Sequence, residues 1–201
     1  MPHRLSAVLN DLDLPLAELC CARLDGELFK IDEFWYPVDS VDGIELRAQA
    51  LSLLAPPRAI AELHSATWIY GLEPAPFRHQ ICVDVTARTW VDVASALVPR
   101  ERRLVTSDTQ VRAGFRLTTP LRTAVDLAQW SHLGTPDVVP LLAAVLRFGG
   151  YRDTAAAVKL CASRRSTNTS HARTRLAAAQ AFLFADAPQA DPDTPTRDLR
   201  P

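Results

Sequence analysis

The chain has 201 residues, 48% of them hydrophobic, and 22 Lys/Arg against 23 Asp/Glu leave a formal net charge of −1. That apolar content excludes wholesale disorder. The longest apolar runs, such as Val138–Leu146, are far shorter than the ~20 residues a membrane span requires, so no membrane partner is expected.

In chain order, the start Met1-Pro2-His3-Arg4 lacks a charged-then-apolar leader pattern, which predicts a cytoplasmic protein. Leu14–Leu24 reads as a helix. Leu16, Leu19, Cys20, Arg23 and Leu24 fall at i, i+3, i+4, i+7 and i+8, and Leu16, Leu19, Cys20 and Leu24 are expected to be buried. Asp13 is placed as its N-cap and Gly26 as its closing glycine. Glu27–Ile31 and Phe34–Val38, on either side of Asp32-Glu33, carry a hairpin signal. Helix then hairpin is the second half of a winged helix, and Ser6–Leu9 is expected to supply a short helix before it.

Val38–Gly43 is a turn-rich linker. Leu46, Ala50, Leu53 and Leu54 make a helical stripe that Pro56-Pro57 ends. Ala59–Tyr70 is predicted as a helix closed by Gly71. Ile81, Val83 and Val85 alternate within His79–Thr86, the pattern of a half-buried strand. Trp90–Val93, Arg103–Thr106 and Phe115–Leu117 are further predicted strands. Thr119 is placed to cap a helix with Pro120 at its first position. Leu121, Ala124, Val125 and Ala128 share one face of that helix. Helices follow over Asp137–Phe148, from Asp153 to about Arg164, and from Ser170 to about Phe184. The last has Ala172, Leu176, Ala179 and Leu183 on a narrow apolar face. From Asp186 the chain has four prolines and little apolar content, which predicts a disordered tail.

The expected class is therefore α+β. A winged-helix-like module spans 1–43. A mixed domain spans 44–184, with helices at about 44–70 and 119–184 and a small sheet at about 79–117. A disordered tail spans 185–201.

The residues carry no pattern of a catalytic or metal site. Cys20, Cys21, Cys82 and Cys161 lie in apolar runs without metal-ligand spacing and are expected to be reduced core thiols. His79-x-x-Cys82 offers two ligands where a closed zinc site takes four. No glycine-rich phosphate loop and no G-x-S-x-G elbow can be written, so no cofactor is expected. Nothing in the spacing of Asp84, Asp92 and Glu101 makes them converge on a cation. A non-enzymatic binding protein is the expectation.

Charge is distributed unevenly. Residues 1–48 hold four Lys/Arg against ten Asp/Glu, and residues 136–185 hold seven against two. Two readings stand: these blocks attract each other, within the chain or in self-association, or both are solvated faces. Arg164, Arg165, Arg173 and Arg175 form the main basic cluster, and arginine forks suit phosphate.

The run Arg116–Ala128, with Thr118-Thr119-Pro120, Arg122-Thr123 and Asp126-Leu127-Ala128, resembles a T-[ST]-P-x-R-T-x-x-D-L-A segment of AbiEi-type antitoxins of type IV toxin–antitoxin systems. Leu16–Pro37 is similar to their winged-helix core, and Ser65–Leu72 to their S-A-x-W-x-x-G-L helix. The likeness spans roughly 12–183. It implies a DNA-binding winged helix and an antitoxin domain that represses its own operon and offsets a nucleotidyltransferase-like toxin. Longer relatives carry a nuclease-like C-terminal domain, for which this chain is expected to be too short. Carried over by position, Thr119 would cap its helix and Arg122 and Asp126 would form a structural pair. Glu18, Ala22 and Asp25 oppose the apolar stripe, and Asp32-Glu33 form the wing tip. These would bring carboxylates to the DNA side, with only Arg23 and Lys30 against them. Either this module contacts protein instead, or DNA is held elsewhere, with the basic C-terminal helices contributing more.

Overall fold

A computed structural model of the protein describes residues 8–85, 96–130, 138–164 and 168–185. It is a mixed α+β structure with a two-stranded and a five-stranded sheet. The predicted tail, the strand over Trp90–Val93, Ser6 and Ala7 lie outside the described residues.

Helix α1 (Leu16–Leu24) leads into the hairpin β1 (Leu28–Ile31) and β2 (Phe34–Pro37), paired Ile31↔Phe34 through Leu28↔Pro37. The turn contains no glycine. Asp32 takes the left-handed conformation (φ 56°), which Asp tolerates better than most residues. Leu9 is bridged to Trp35 on β2, with its N–H donating to the Trp35 carbonyl at 2.8 Å. That extended pairing replaces the short helix expected to end at Leu9.

The stripe on α1 is a correction. Leu19 is fully buried, but Leu16 is 60% and Leu24 85% exposed, and Cys20 is exposed. The reason is the alternation of β2. Phe34 and Tyr36 point into the main core, leaving Trp35 as the strand's large side chain on the side of Leu19. One aromatic ring with Leu9, Leu14 and Leu28 beside it covers one turn of helix, not three. Asp13 does not cap α1; its carboxylate accepts the Asn10 N–H at 2.9 Å, and Pro15 occupies the cap position.

Helix α2 (Ile44–Leu54) ends before Pro56 as expected. The predicted helix over Ala59–Tyr70 is two elements, β3 (Ile60–Ala61) and α3 (Leu63–Ile69). Ala59, Ile60 and Ala61 are all buried, and a short run buried on both sides has no period to separate strand from helix. β4 (His79–Asp84) and β5 (Leu97–Arg102) run parallel. The strand expected at Arg103–Thr106 thus ends at Arg102, and Thr106–Asp108 is a 3-10 turn. β6 (Thr109–Arg112), which sequence patterning missed, pairs with β7 (Phe115–Thr118). The five-stranded order is β5-β4-β3-β7-β6.

Helix α4 (Pro120–Trp130) begins at the expected proline, and Thr119 Oγ1 accepts the Arg122 N–H at 3.4 Å. α5 (Val138–Phe148), α6 (Ala155–Ser163) and α7 (Thr169–Ala185) complete the helical half. Asp153 sits at the start of α6, its carboxylate accepting the Ala155 N–H at 2.9 Å. The α7 face of Ala172, Leu176, Ala179 and Leu183 is buried as expected.

One apolar cluster unites the hairpin (Phe34, Tyr36), α2, α3 and the sheet; a second gathers α4 to α7. The expected boundary at 43/44 therefore falls inside the first cluster. Cys82 and Cys161 are core thiols, whereas Cys20 and Cys21 are exposed, contrary to expectation. Among the described residues no helix is long and apolar enough to cross a membrane.

Candidate functional site

A network of ion pairs lies between the sheet and α4. Strand alternation puts Glu62, just after β3, on the same sheet face as Cys82 of β4 and Arg100 and Arg102 of β5. α4 brings Arg122 and Asp126 to this face, the 3-10 turn brings Asp108, and the end of α6 brings Arg164. Arg122 Nε donates to Asp126 Oδ2 at 2.7 Å and its Nη1 to Asp108 Oδ2 at 2.9 Å. Arg164 Nη2 donates to both Asp108 oxygens, at 2.6 and 2.8 Å.

Glu62 is fully buried, and neither of its oxygens has a hydrogen bond of good geometry. Arg100 Nε lies 3.2 Å from one oxygen and Arg102 Nε 3.8 Å from the other. Burial pushes the Glu62 carboxyl up to about 7, with Arg100 opposing. Asp108 is held below the ordinary carboxylate range: burial works against its charge, but the bonds from Arg164 and the Val105 amide and the charge of Arg122 outweigh it. Arg122 is held above the usual arginine value, because Asp126 and Asp108 outweigh the cost of burial. Burial pushes the Cys82 thiol up, so it stays protonated and is a poor nucleophile. Arg100 and Arg102 lie over the Trp130 ring, 5.4 and 4.6 Å from its centroid.

A second polar chain joins the hairpin tip to the body. Asp32 Oδ2 lies 2.8 Å from His79 Nε2, and His79 Nδ1 lies 3.1 Å from Ser65 Oγ. The order Asp, His, Ser invites comparison with a hydrolase triad. Ser65 is fully buried, however, and its oxygen already accepts the Gln80 N–H at 2.7 Å, so no substrate reaches it. The chain is a latch. It also corrects the expectation that both wing-tip carboxylates face outward: Asp32 turns inward, while Glu33 stays exposed.

No family model matches the chain, and no curated protein matches it. The crystal structure of the RV2827C protein from Mycobacterium tuberculosis is similar over 90% of this chain and 75% of that one, with 16% sequence identity and a TM-score of 0.49.

The described DNA candidates read from the sequence lie on separate elements, α1, β1, the end of α6 and α7. Arg23 is exposed on α1, and Lys30 lies 3.6 Å from Glu33 and over the Trp35 ring. Arg164 is bound to Asp108. Arg175 donates to the Ala128 carbonyl at 2.9 Å. Arg173 is exposed on α7, and Arg165 lies outside the described residues. Thr119 precedes α4, Pro120 and Arg122 lie in its first turn, and Asp126 lies one turn beyond Arg122. Sequence reasoning missed Glu62, Arg100, Arg102, Asp108 and Trp130. The i, i+2 spacing of Arg100 and Arg102 is a usable signal once both are known to lie on one strand, β5.

A cleft of about 480 Å³ opens between α5 and the segment after α3. Leu72, Pro74, Val138, Pro140 and Leu141 line it, with a His64–Glu73 pair 3.0 Å apart at its polar edge. Among the described residues no group of three His, Cys, Asp or Glu side chains is placed to hold a metal.

Proposed function

We propose that this protein is a non-catalytic, cytoplasmic regulator of the antitoxin type, binding operator DNA and offsetting a nucleotidyltransferase-like toxin. The observation that carries this reading is the use made of the Thr118–Ala128 run, which bears the resemblance to AbiEi-type antitoxins. Its polar side chains hold α4 to the rest of the molecule. Thr118 and Thr123 hydroxyls meet at 2.7 Å, Thr119 caps the helix, and Arg122 ties Asp126 to Asp108. These are roles of a fold signature, and they support a likeness of fold with function carried on outer surfaces by binding.

Two experiments test it. Gel-shift titration with the DNA upstream of its own reading frame should show retention that weakens as salt rises. Co-production with an adjacent nucleotidyltransferase-like reading frame should relieve growth arrest. No retention at low salt removes operator binding, and no relief removes the antitoxin role.

A specific observation favours a second reading, that the N-terminal unit contacts protein. Leu12, Leu16 and Leu24 are exposed, and so are Glu18 on α1 and Asp25 at its end. Exposed leucines and carboxylates on one short segment suit a basic protein partner, or the basic C-terminal helices of a second copy, better than phosphate. Under this reading Leu16→Glu with Leu24→Glu abolishes partner binding and leaves DNA retention unchanged.

A further inference from the structure

We propose that Arg100, Arg102 and Trp130 form a phosphate-binding face for duplex DNA. The proposal rests on the operator-binding reading and states where on the molecule the contact is made.

Among the described residues β5 is an edge strand of the five-stranded sheet, with β4 on one flank and no strand on the other. Arg100 and Arg102 sit two residues apart on it, about 6.6 Å along the strand, a spacing that lets two guanidiniums engage neighbouring phosphates of one backbone. Both are ion-paired with Glu62 through Nε, at 3.2 and 3.8 Å without a hydrogen bond of good geometry, and each guanidinium lies over Trp130. Among the described residues neither side chain makes a hydrogen bond or a further ion pair. Nothing else among the described residues engages their terminal NH2 groups, and the side chains are 24% and 19% exposed beside a Trp130 that is 39% exposed.

An arginine already packed on a ring beside a carboxylate loses less rotamer freedom when it grips an anion. One carboxylate, Glu62, serves two guanidiniums, and burial pushes it toward neutrality near pH 7, so the face keeps positive charge. The end of α4 adds to it: Arg175 and the Asn168 amide donate to the carbonyls of Ala128 and Gln129, beside Trp130. The other arginines considered above differ. Arg164 and Arg122 are matched by carboxylates, and Arg23 shares α1 with Glu18.

The test is anisotropy titration of a short labelled duplex from the upstream region, at several salt concentrations, with the full chain. Removing both guanidiniums would strand Glu62, so the variant to use is Glu62→Gln with Arg100→Gln and Arg102→Gln. Binding at low salt should fall about tenfold or more, and the slope of log K against log salt should become shallower by about 1 to 2, at about 0.9 per lost contact. Glu62→Gln alone should bind as tightly as the parent or more tightly. Arg173→Ala should change the slope by less. If the triple variant fails to fold, Arg100→Lys with Arg102→Lys keeps the charge and loses the fork; weaker binding with an unchanged slope is then expected. A folded triple variant, or failing that the double-lysine variant, with parental affinity and slope overturns this face and leaves operator binding standing. A parent protein that retains no duplex at low salt overturns both.

Discussion

At the scale of the residue, the sheet–α4 junction puts charge where water does not reach. Arg122 is 4% exposed and bridges two carboxylates. Replacing it with Met leaves Asp126 buried without its hydrogen-bonding cation, while Asp108 keeps Arg164. Breaking a buried pair from one side costs about 3–5 kcal/mol. Urea unfolding of Arg122→Met at neutral pH should show a loss of that order, and a loss below about 1 kcal/mol would mean the pair is dispensable. Glu62 gives the opposite sign. Its ordinary value is 4.5, and in the folded chain it rises to about 7. Between those values the folded form holds a proton that the unfolded form has released. The stability this contributes is fully present below pH 4.5 and is lost as pH climbs through 7, an effect of about 3 kcal/mol. Glu62→Gln should therefore flatten the stability profile between about pH 5 and pH 8 and exceed the parent at the upper end. A parallel pair of profiles would show that Glu62 does not titrate in this range.

At the scale of the element, α1 and the hairpin divide their labour unequally. Leu19 alone anchors α1 to Trp35 and Leu9. Leu19→Ala should cost about 2–5 kcal/mol, the price of an emptied core position. Leu16→Ala and Leu24→Ala should stay within about 0.5 kcal/mol of the parent, as surface changes do. Equal losses at all three positions would mean that α1 is covered on its outer face. The hairpin tip depends on Asp32 and His79. Asp32→Gly removes the carboxylate without straining the left-handed turn, so its cost reports the latch and not the backbone. Amide exchange across β1 and β2 should quicken, reflecting about 1–3 kcal/mol of lost protection. Unchanged exchange would mean that apolar contacts alone dock the hairpin.

At the scale of the whole molecule, the first apolar cluster crosses the boundary that composition places near residue 43. Phe34 and Tyr36 pack with Leu51, Trp68 and Leu117, and Asp32 is tied to His79. A hairpin that shares its core with the body does not unfold by itself. Denaturant melts of the full chain should coincide when followed by tryptophan fluorescence and by far-ultraviolet circular dichroism. Two separated transitions would restore an independent N-terminal domain. The second cluster, α4 to α7, is linked to the first through the sheet–α4 charge web and through Leu72, which packs on both. Binding at the β5 edge would therefore act on the joint between the two halves.

The sequence by itself determined the parts whose cause lies within a few residues. Thr119 and Pro120 mark the start of α4, the prolines after α2 stop it, and the spacing of Ala172, Leu176, Ala179 and Leu183 marks the buried face of α7. Caps, ring constraints and helical period act over one or two turns of chain, so they are readable in one dimension. The hairpin over β1 and β2 was legible for the same reason. Tertiary structure decided the rest. Ile60 and Ala61 become a central strand because β4 and β7 arrive on either side. The α1 stripe stays largely open because β2 turns Phe34 and Tyr36 the other way. Glu62 meets Arg100, and Asp108 meets Arg122 and Arg164, across long separations in sequence. The energy of a buried charge depends on which counter-charge the fold brings within a few ångströms of it, and no local pattern encodes that distance.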